Sequence, residues 1–254
     1  LPVFSAAYAL SAYTLAFINQ FMWMDAVICL PLVIKGIDNI RSKKAGILYT
    51  AALSYTIISN FYIGYMVCLF SVVYFVGGVI GERMSRGQLW EKIWRFLLYS
   101  LIAGAISAVY TVPTYYAIRN TAASSAGFGG KIEFYHPVTE VLAGFLPFQK
   151  ISLVYEVPNI YCGTMCILLC ILSFFTQKNI RKRICIILGC IFFYLSLNCN
   201  ILDYVWHGFH YPNQLPGRWS FCIIFLIVKQ AYVYCGELEK LRREKNEART
   251  VKKQ

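Results

Sequence analysis

Apolar residues fall into long runs along this chain, divided by short polar stretches. The runs lie near residues 1–18, 22–37, 46–58, 61–80, 96–112, 159–176, 184–197 and 219–235. A membrane-spanning helix needs about 20 apolar residues, with a range near 17–25, so the pattern predicts about eight transmembrane helices, several of them short. The second run contains Pro31, which kinks or ends a helix, and it recruits residues 21–24 to reach spanning length. The polar connectors are residues 38–45, 81–95 and 177–183, with an interfacial helical turn predicted around Trp90 and Trp94. Residues 113–158 read as one long loop. It holds a flexible piece, NTAASSAGFGG at 120–130, and a mixed piece at 138–148 that suits the membrane interface. Residues 236–254 form a charged tail, and no internal repeat is visible.

Composition agrees with this reading. Hydrophobic residues make up 58% of the chain and charged residues 14%, more apolar surface than an ordinary soluble domain hides. The fold class is therefore an all-α polytopic membrane protein, with the membrane domain over 1–235. The chain starts apolar at Leu1 with no basic leader or small-residue cleavage site, so the first run is not a signal peptide. Both ends read as cut from a longer protein.

The net charge of +12 acquires a meaning from where the cations lie. Lys35, Arg41, Lys43 and Lys44, then Arg83, Arg86, Lys92 and Arg95, then Lys178, Arg181, Lys182 and Arg183 fall on one side of the alternating spans, with the tail. Only Arg119, Lys131, Lys150 and Arg218 fall on the other. The positive-inside rule puts the tail in the cytoplasm. The excess is a topology signal, which argues against nucleic acid as a partner. Lys229 lies toward the same end of the last helix and can snorkel there.

This orientation collects the reactive groups on the outward side. Asp25, Glu133, Glu140, Glu156 and Asp203 are there, with all three histidines, His136, His207 and His210. The richest stretch is 198–220, NCNILDYVWHGFHYPNQLPGRWS, which holds far more chemistry than a connector between two helices needs. Asp203, His207 and His210 stand at i, i+4 and i+7, one face of a helix if the stretch is helical. They suit a divalent metal, an acid–base role for a histidine, or polar groups of an interfacial helix. The spacing is not the HExxH of a metalloprotease. Arg218 is either an interfacial anchor or a clamp for a lipid phosphate, where a guanidinium gives paired hydrogen bonds. Asp25, behind Trp23, is either an acid favoured by a helix N-terminus or a carboxylate held at the membrane rim for function. Among ten cysteines, Cys162, Cys166 and Cys170 recur at one helix face and read as packing residues, and Cys199 alone is near a polar loop. There is no GxSxG, P-loop or dinucleotide fingerprint.

Three stretches carry a family resemblance: NQFMWMDAVICLP at 19–31, ISNFYIGYM at 58–66 and NILDYVWHGFHYPNQLPGRWSF at 200–221. In order and over essentially the whole chain, they resemble the YfhO family of bacterial membrane proteins, and the last stretch is the most specific. The resemblance implies a polytopic glycosyltransferase of the GT-C type in the bacterial plasma membrane. Such an enzyme takes a sugar from undecaprenyl phosphate and transfers it, outside the membrane, to lipoteichoic acid or a related wall polymer. It implies inversion at the anomeric carbon, with an outward carboxylate activating the acceptor hydroxyl. It also implies that the usual acid lies upstream of Leu1 and a further outward soluble region beyond Gln254, so that this segment is inactive alone. Asp25, Asp203 and His207 are the candidate catalytic groups. Arg218, His210, Asn213, Gln214, Asn60 and Tyr62 are the candidate substrate-binding groups. No cofactor is firmly implied. A transporter or lipid flippase is the competing reading, and would show ionisable groups or broken helices near mid-membrane.

Overall fold

The computed structural model describes residues 2–119, 131–151, 153, 157–210, 215 and 217–251. Among them are helices α1 (Pro2–Ala9), α2 (Ala12–Phe17), α3 (Phe21–Arg41), α4 (Ile47–Ser59), α5 (Phe61–Ile80), α6 (Arg86–Arg119), α7 (Val138–Ala143), α8 (Thr164–Thr176), α9 (Ile180–Asn198), α10 (Asn200–Trp206) and α11 (Phe221–Val251). No strand occurs among the described residues, only one isolated antiparallel bridge between Phe134 and Cys199.

Helices α3, α4, α5 and α6 pack on one another, while α11 packs on α8 and α1 and also touches α3. Each buries one face. On α5 the buried face is Ile63, Met66, Val67 and Phe70, the i, i+3, i+4, i+7 pattern of a helix side. On α3 it is Leu30, Ile34, Ile37 and Ile40. The opposite faces stay apolar and exposed, with Val72 and Val76 on α5, Leu101 and Val109 on α6, and Ile191 on α9. Water would not tolerate so much exposed apolar surface, and lipid does. Helices α3 and α4 lie so close that a Cβ on Gly36 would sit 2.4 Å from the Tyr49 backbone nitrogen, so only glycine fits there.

The chain is an all-α membrane protein. Three helices are long and apolar enough to cross a membrane, by length and composition alone: Phe61–Ile80, Arg86–Arg119 and Phe221–Glu247. The other expected spans are not established on that basis, since α4 and α8 have only 13 residues each.

Several boundaries differ from the sequence reading. The run at 1–18 breaks at Leu10–Ser11, where the Ala12 amide bonds to the Tyr161 carbonyl at 2.9 Å instead of continuing α1. The run at 159–176 starts as non-helical, mostly buried chain through Gly163, and α8 begins only at Thr164. Cys162 is therefore not on a helix face with Cys166 and Cys170. The connector at 81–95, the run at 96–112 and the start of the loop merge into α6, whose 34 residues pass through Pro113 and leave Trp90 and Trp94 exposed. Helix α3 likewise continues through Pro31. Of the mixed piece, 138–148, only α7 is helical.

The ends of the bundle differ chemically. Arg41, Glu82, Lys92, Asp38 and Lys229 gather at one end, the basic end. Trp23, Tyr62, Trp206, His207, Arg218 and Trp219 gather at the other, the aromatic end.

Candidate functional site

The aromatic end is built from a backbone clasp. Asn198 closes α9 and is fully buried. Its side-chain oxygen accepts the His136 amide at 2.7 Å, and its nitrogen donates to the His136 carbonyl at 2.8 Å and to the Tyr194 hydroxyl at 3.0 Å. Asn200 does the same one step on, accepting the Glu133 amide at 3.1 Å and donating to the Lys131 carbonyl at 2.8 Å. Two backbone bonds complete the clasp, Tyr135 N to Asn198 O at 3.0 Å and Asn200 N to Glu133 O at 3.1 Å. A carboxamide offers both donor and acceptor, so each asparagine substitutes for a missing neighbour strand. The 131–136 stretch is thus fastened to the junction of α9 and α10, and Cys199, between the asparagines, is buried rather than accessible.

The clasp puts Tyr135 over Asp203. The Tyr135 hydroxyl donates to Asp203 Oδ2 at 3.1 Å. Asp203 Oδ1 lies 3.0 Å from Nδ1 of His207, and the Asp203 carbonyl lies 2.8 Å from the same nitrogen. Both neighbours of Nδ1 are acceptors, so Nδ1 carries a hydrogen, and in the neutral ring Nε2 is the acceptor. His207 is wholly buried, and Nε2 has no hydrogen-bond partner.

After His207 the chain turns sharply, with φ of +71° at Gly208 and +63° at Phe209. His210 therefore leaves the helix face expected for it. It meets the site from another direction, with its ring centroid 5.5 Å from that of Tyr62, while His207 lies 6.1 Å from Tyr62. Burial holds the His210 imidazole below its ordinary pKa, with the charges of His207 and Arg218 acting the same way and a Gly208 hydrogen bond and Asp203 opposing. No group of three His, Cys, Asp or Glu positioned for a metal occurs among the described residues.

Arg218 lies between two rings. Its Cζ is 5.2 Å from the Tyr62 centroid and 5.5 Å from the Trp23 centroid, within cation–π range. Nε donates to the Leu215 carbonyl at 3.2 Å, and the Arg218 carbonyl accepts from the Tyr13 hydroxyl at 2.8 Å. Gly217, with φ of +64°, brings this turn against Pro158, where a Cβ would come within 2.7 Å. Trp23 of α3 and Tyr62 of α5 thus flank the guanidinium, while Tyr13 of α2 and the close approach of Pro158 to Gly217 fix the backbone turn that carries it.

The remaining candidates are less central. Asn60 caps α5, its side chain accepting the Ile63 amide at 2.9 Å, and so fixes the turn that carries Tyr62. Asp25 is one turn inside α3 rather than at its start, and its carboxylate accepts a hydrogen bond from Ser59. Asn213 and Gln214 lie outside the described residues. Sequence reading named Trp23 as the residue ahead of Asp25 and gave Tyr13, Tyr135, Asn198 and Asn200 no role. The signal within reach was the N-x-N pair directly after an apolar run.

A family model described as "Bacterial membrane protein YfhO" matches residues 1–250. The chain belongs to the YfhO family. A curated YfhO-family relative, "Uncharacterized protein YfhO" of Bacillus subtilis (strain 168), is 25% identical over 221 residues. The match covers 87% of this chain and 24% of that relative, so this YfhO-family chain spans about a quarter of the relative's length. No solved structure matches it.

Proposed function

We propose that the aromatic end is the donor site of a membrane glycosyltransferase. The enzyme moves a sugar from undecaprenyl phosphate to lipoteichoic acid or a related wall polymer at the outer face, with the α11 tail in the cytoplasm. The observation that carries this reading is Arg218, whose guanidinium is fixed between Trp23 and Tyr62 just ahead of α11. A planar cation at that level suits a lipid phosphate, and it stabilises the negative charge that grows on the phosphate as the sugar leaves. Aromatic faces beside it suit a sugar ring or an isoprenoid chain. A carboxylate on the same side, Asp25 or Asp203, draws the acceptor proton, directly or through His207, while His210, Tyr62, Asn60, Asn213 and Gln214 contribute to substrate binding. Sugar analysis of wall polymers from cells with and without the gene tests the proposal. Loss of one sugar substituent on deletion supports it, and identical polymers overturn it.

A second reading, a transporter or lipid flippase, draws on the break between α1 and α2 and the non-helical chain at 157–163 bonded across it. Non-helical backbone at membrane depth persists only where protein or a cavity surrounds it, and transporters use such breaks for binding. Movement of labelled lipid-linked sugar across vesicles without any transfer to an acceptor would favour that reading.

A further inference from the structure

We infer that His207 Nε2 is the proton acceptor of the transfer step, with Asp203 and Tyr135 as its positioning residues. This deepens the glycosyltransferase reading and rests on it.

A buried histidine with only a structural role ordinarily uses both ring nitrogens, because an unpaired polar atom in the interior is costly. His207 is fully buried and uses one. Asp203 Oδ1 at 3.0 Å and the Asp203 carbonyl at 2.8 Å fix the hydrogen on Nδ1. The tautomer with its hydrogen on Nε2 would lose both contacts, since Nδ1 would then face two acceptors with a lone pair. Asp203 is fixed in turn by the Tyr135 hydroxyl on its other oxygen, and Tyr135 by the asparagine clasp. The chain of contacts Tyr135–Asp203–His207 ends on a lone pair beside Tyr62, the same ring that stacks on Arg218. Trp219 Nε1 and Ser196 Oγ, also buried at this end, have no hydrogen-bond partner either. Buried polar atoms left without partners at the end that carries Arg218 point to a ligand that supplies them. One oxygen of the Asp25 carboxylate already accepts from Ser59.

In the step itself, the acceptor hydroxyl gives its proton to Nε2. Its oxygen forms the new bond to the anomeric carbon, and the bond from that carbon to the lipid phosphate oxygen breaks. The phosphate leaves with the electron pair beside Arg218. The imidazolium formed is held by the Asp203 carboxylate and later returns its proton to water. Full burial of the ring means that the acceptor displaces a neighbour as it binds. The same burial keeps bulk water, a competing acceptor, away from the donor.

The test uses the full-length protein in membrane vesicles with purified lipoteichoic acid. Undecaprenyl phosphate glucose, galactose and N-acetylglucosamine are supplied in parallel as donors. His207→Ala is expected to lower kcat by about 100-fold or more with the donor KM within about threefold. Asp203→Asn is expected to cost about 100-fold, and Tyr135→Phe about fivefold. Added substituted imidazoles should restore His207→Ala in proportion to their basicity, whereas a ring that merely filled space would be restored without regard to it. No transfer by the unaltered protein with any donor overturns the glycosyltransferase reading and this inference together. Transfer by the unaltered protein that survives in His207→Ala, or a rescue indifferent to basicity, overturns this inference alone. Should His207→Ala fail to accumulate, His207→Gln decides: full activity there overturns the inference, and the loss stated above, in a variant that accumulates normally, upholds it.

Discussion

At the basic end, Lys229 of α11 reaches Asp38 of α3 at 2.7 Å and also bonds the Tyr74 hydroxyl of α5, which donates to Asp38 at 2.9 Å. Arg41 bonds Asp38 at 3.2 Å and Glu82 as well, and Lys92 of α6 reaches Glu82 at 2.7 Å. Asp38 and Glu82 each have at least two donors. At the aromatic end the polar atoms are as deeply placed, yet His207 Nε2, Trp219 Nε1 and Ser196 Oγ have no hydrogen-bond partner. The arginine nitrogens unpaired elsewhere, such as Nε of Arg41, belong to groups already bonded through their other nitrogens. The difference separates two uses of buried polarity. Charges that saturate one another fasten helices together and leave nothing for a ligand, whereas a fixed cation beside unsatisfied donors and acceptors is a site waiting to be completed.

The largest expected effect separates the two ends by activity. Arg218→Ala should lower sugar transfer by about 100-fold or more while membrane insertion stays normal, since a positioned cation stabilises the departing phosphate. Arg41→Ala should leave transfer within about threefold and lower the thermal midpoint instead. Equal loss of transfer in both variants would erase the contrast. Next in size is the clasp. Asn198→Ala removes three hydrogen bonds from a fully buried carboxamide, and the expected cost is about 3 kcal/mol, seen as a lower thermal midpoint and faster proteolysis within 131–137. A smaller effect is expected at Lys229. Lys229→Met leaves Asp38 without its closest cation, at about 2 kcal/mol, and adding Asp38→Leu should return most of that stability.

The smallest effect is a pH dependence at Glu82. Burial raises this carboxyl, but hydrogen bonds and charge from Lys92 and Arg41 outweigh it and hold the group below the usual carboxylate range. A depressed folded-state value means that the unfolded chain binds the proton more readily. The stability from this pairing is therefore present above the usual carboxylate range and lost as pH falls through the folded value. Thermal midpoints measured across acid pH should decline less steeply in Glu82→Gln than in the unaltered protein.

Apolar runs made the helical membrane character legible, because burial in lipid demands long apolar segments regardless of partners. They could not show the break at Leu10–Ser11 or the non-helical stretch before Thr164. Those depend on the amide of Ala12 finding the Tyr161 carbonyl across some 150 residues of chain, a tertiary bond no local pattern encodes. Pro113 and Pro31 read as boundaries because proline removes an internal hydrogen bond, yet α6 and α3 continue through them. In the site, the i, i+4 spacing of Asp203 and His207 did foretell their contact, which is a property of one short helix. His210 broke the pattern because Gly208 and Phe209 take positive φ. Lys229 read as a residue reaching for solvent, and it is instead bonded to an acid 191 positions away. Tyr62 was named as a binding candidate through the family resemblance, but that it and Trp23 flank Arg218 is visible only in the fold.

The contrast between the ends is tested most directly by the sugar content of wall polymers from cells that carry the unaltered gene, Arg218→Ala or Lys229→Met in place of the native copy, at equal amounts of membrane-inserted protein. Loss of the sugar substituent with Arg218→Ala and its retention with Lys229→Met is the expected result. Full glycosylation with Arg218→Ala would contradict the assignment of the aromatic end as the donor site.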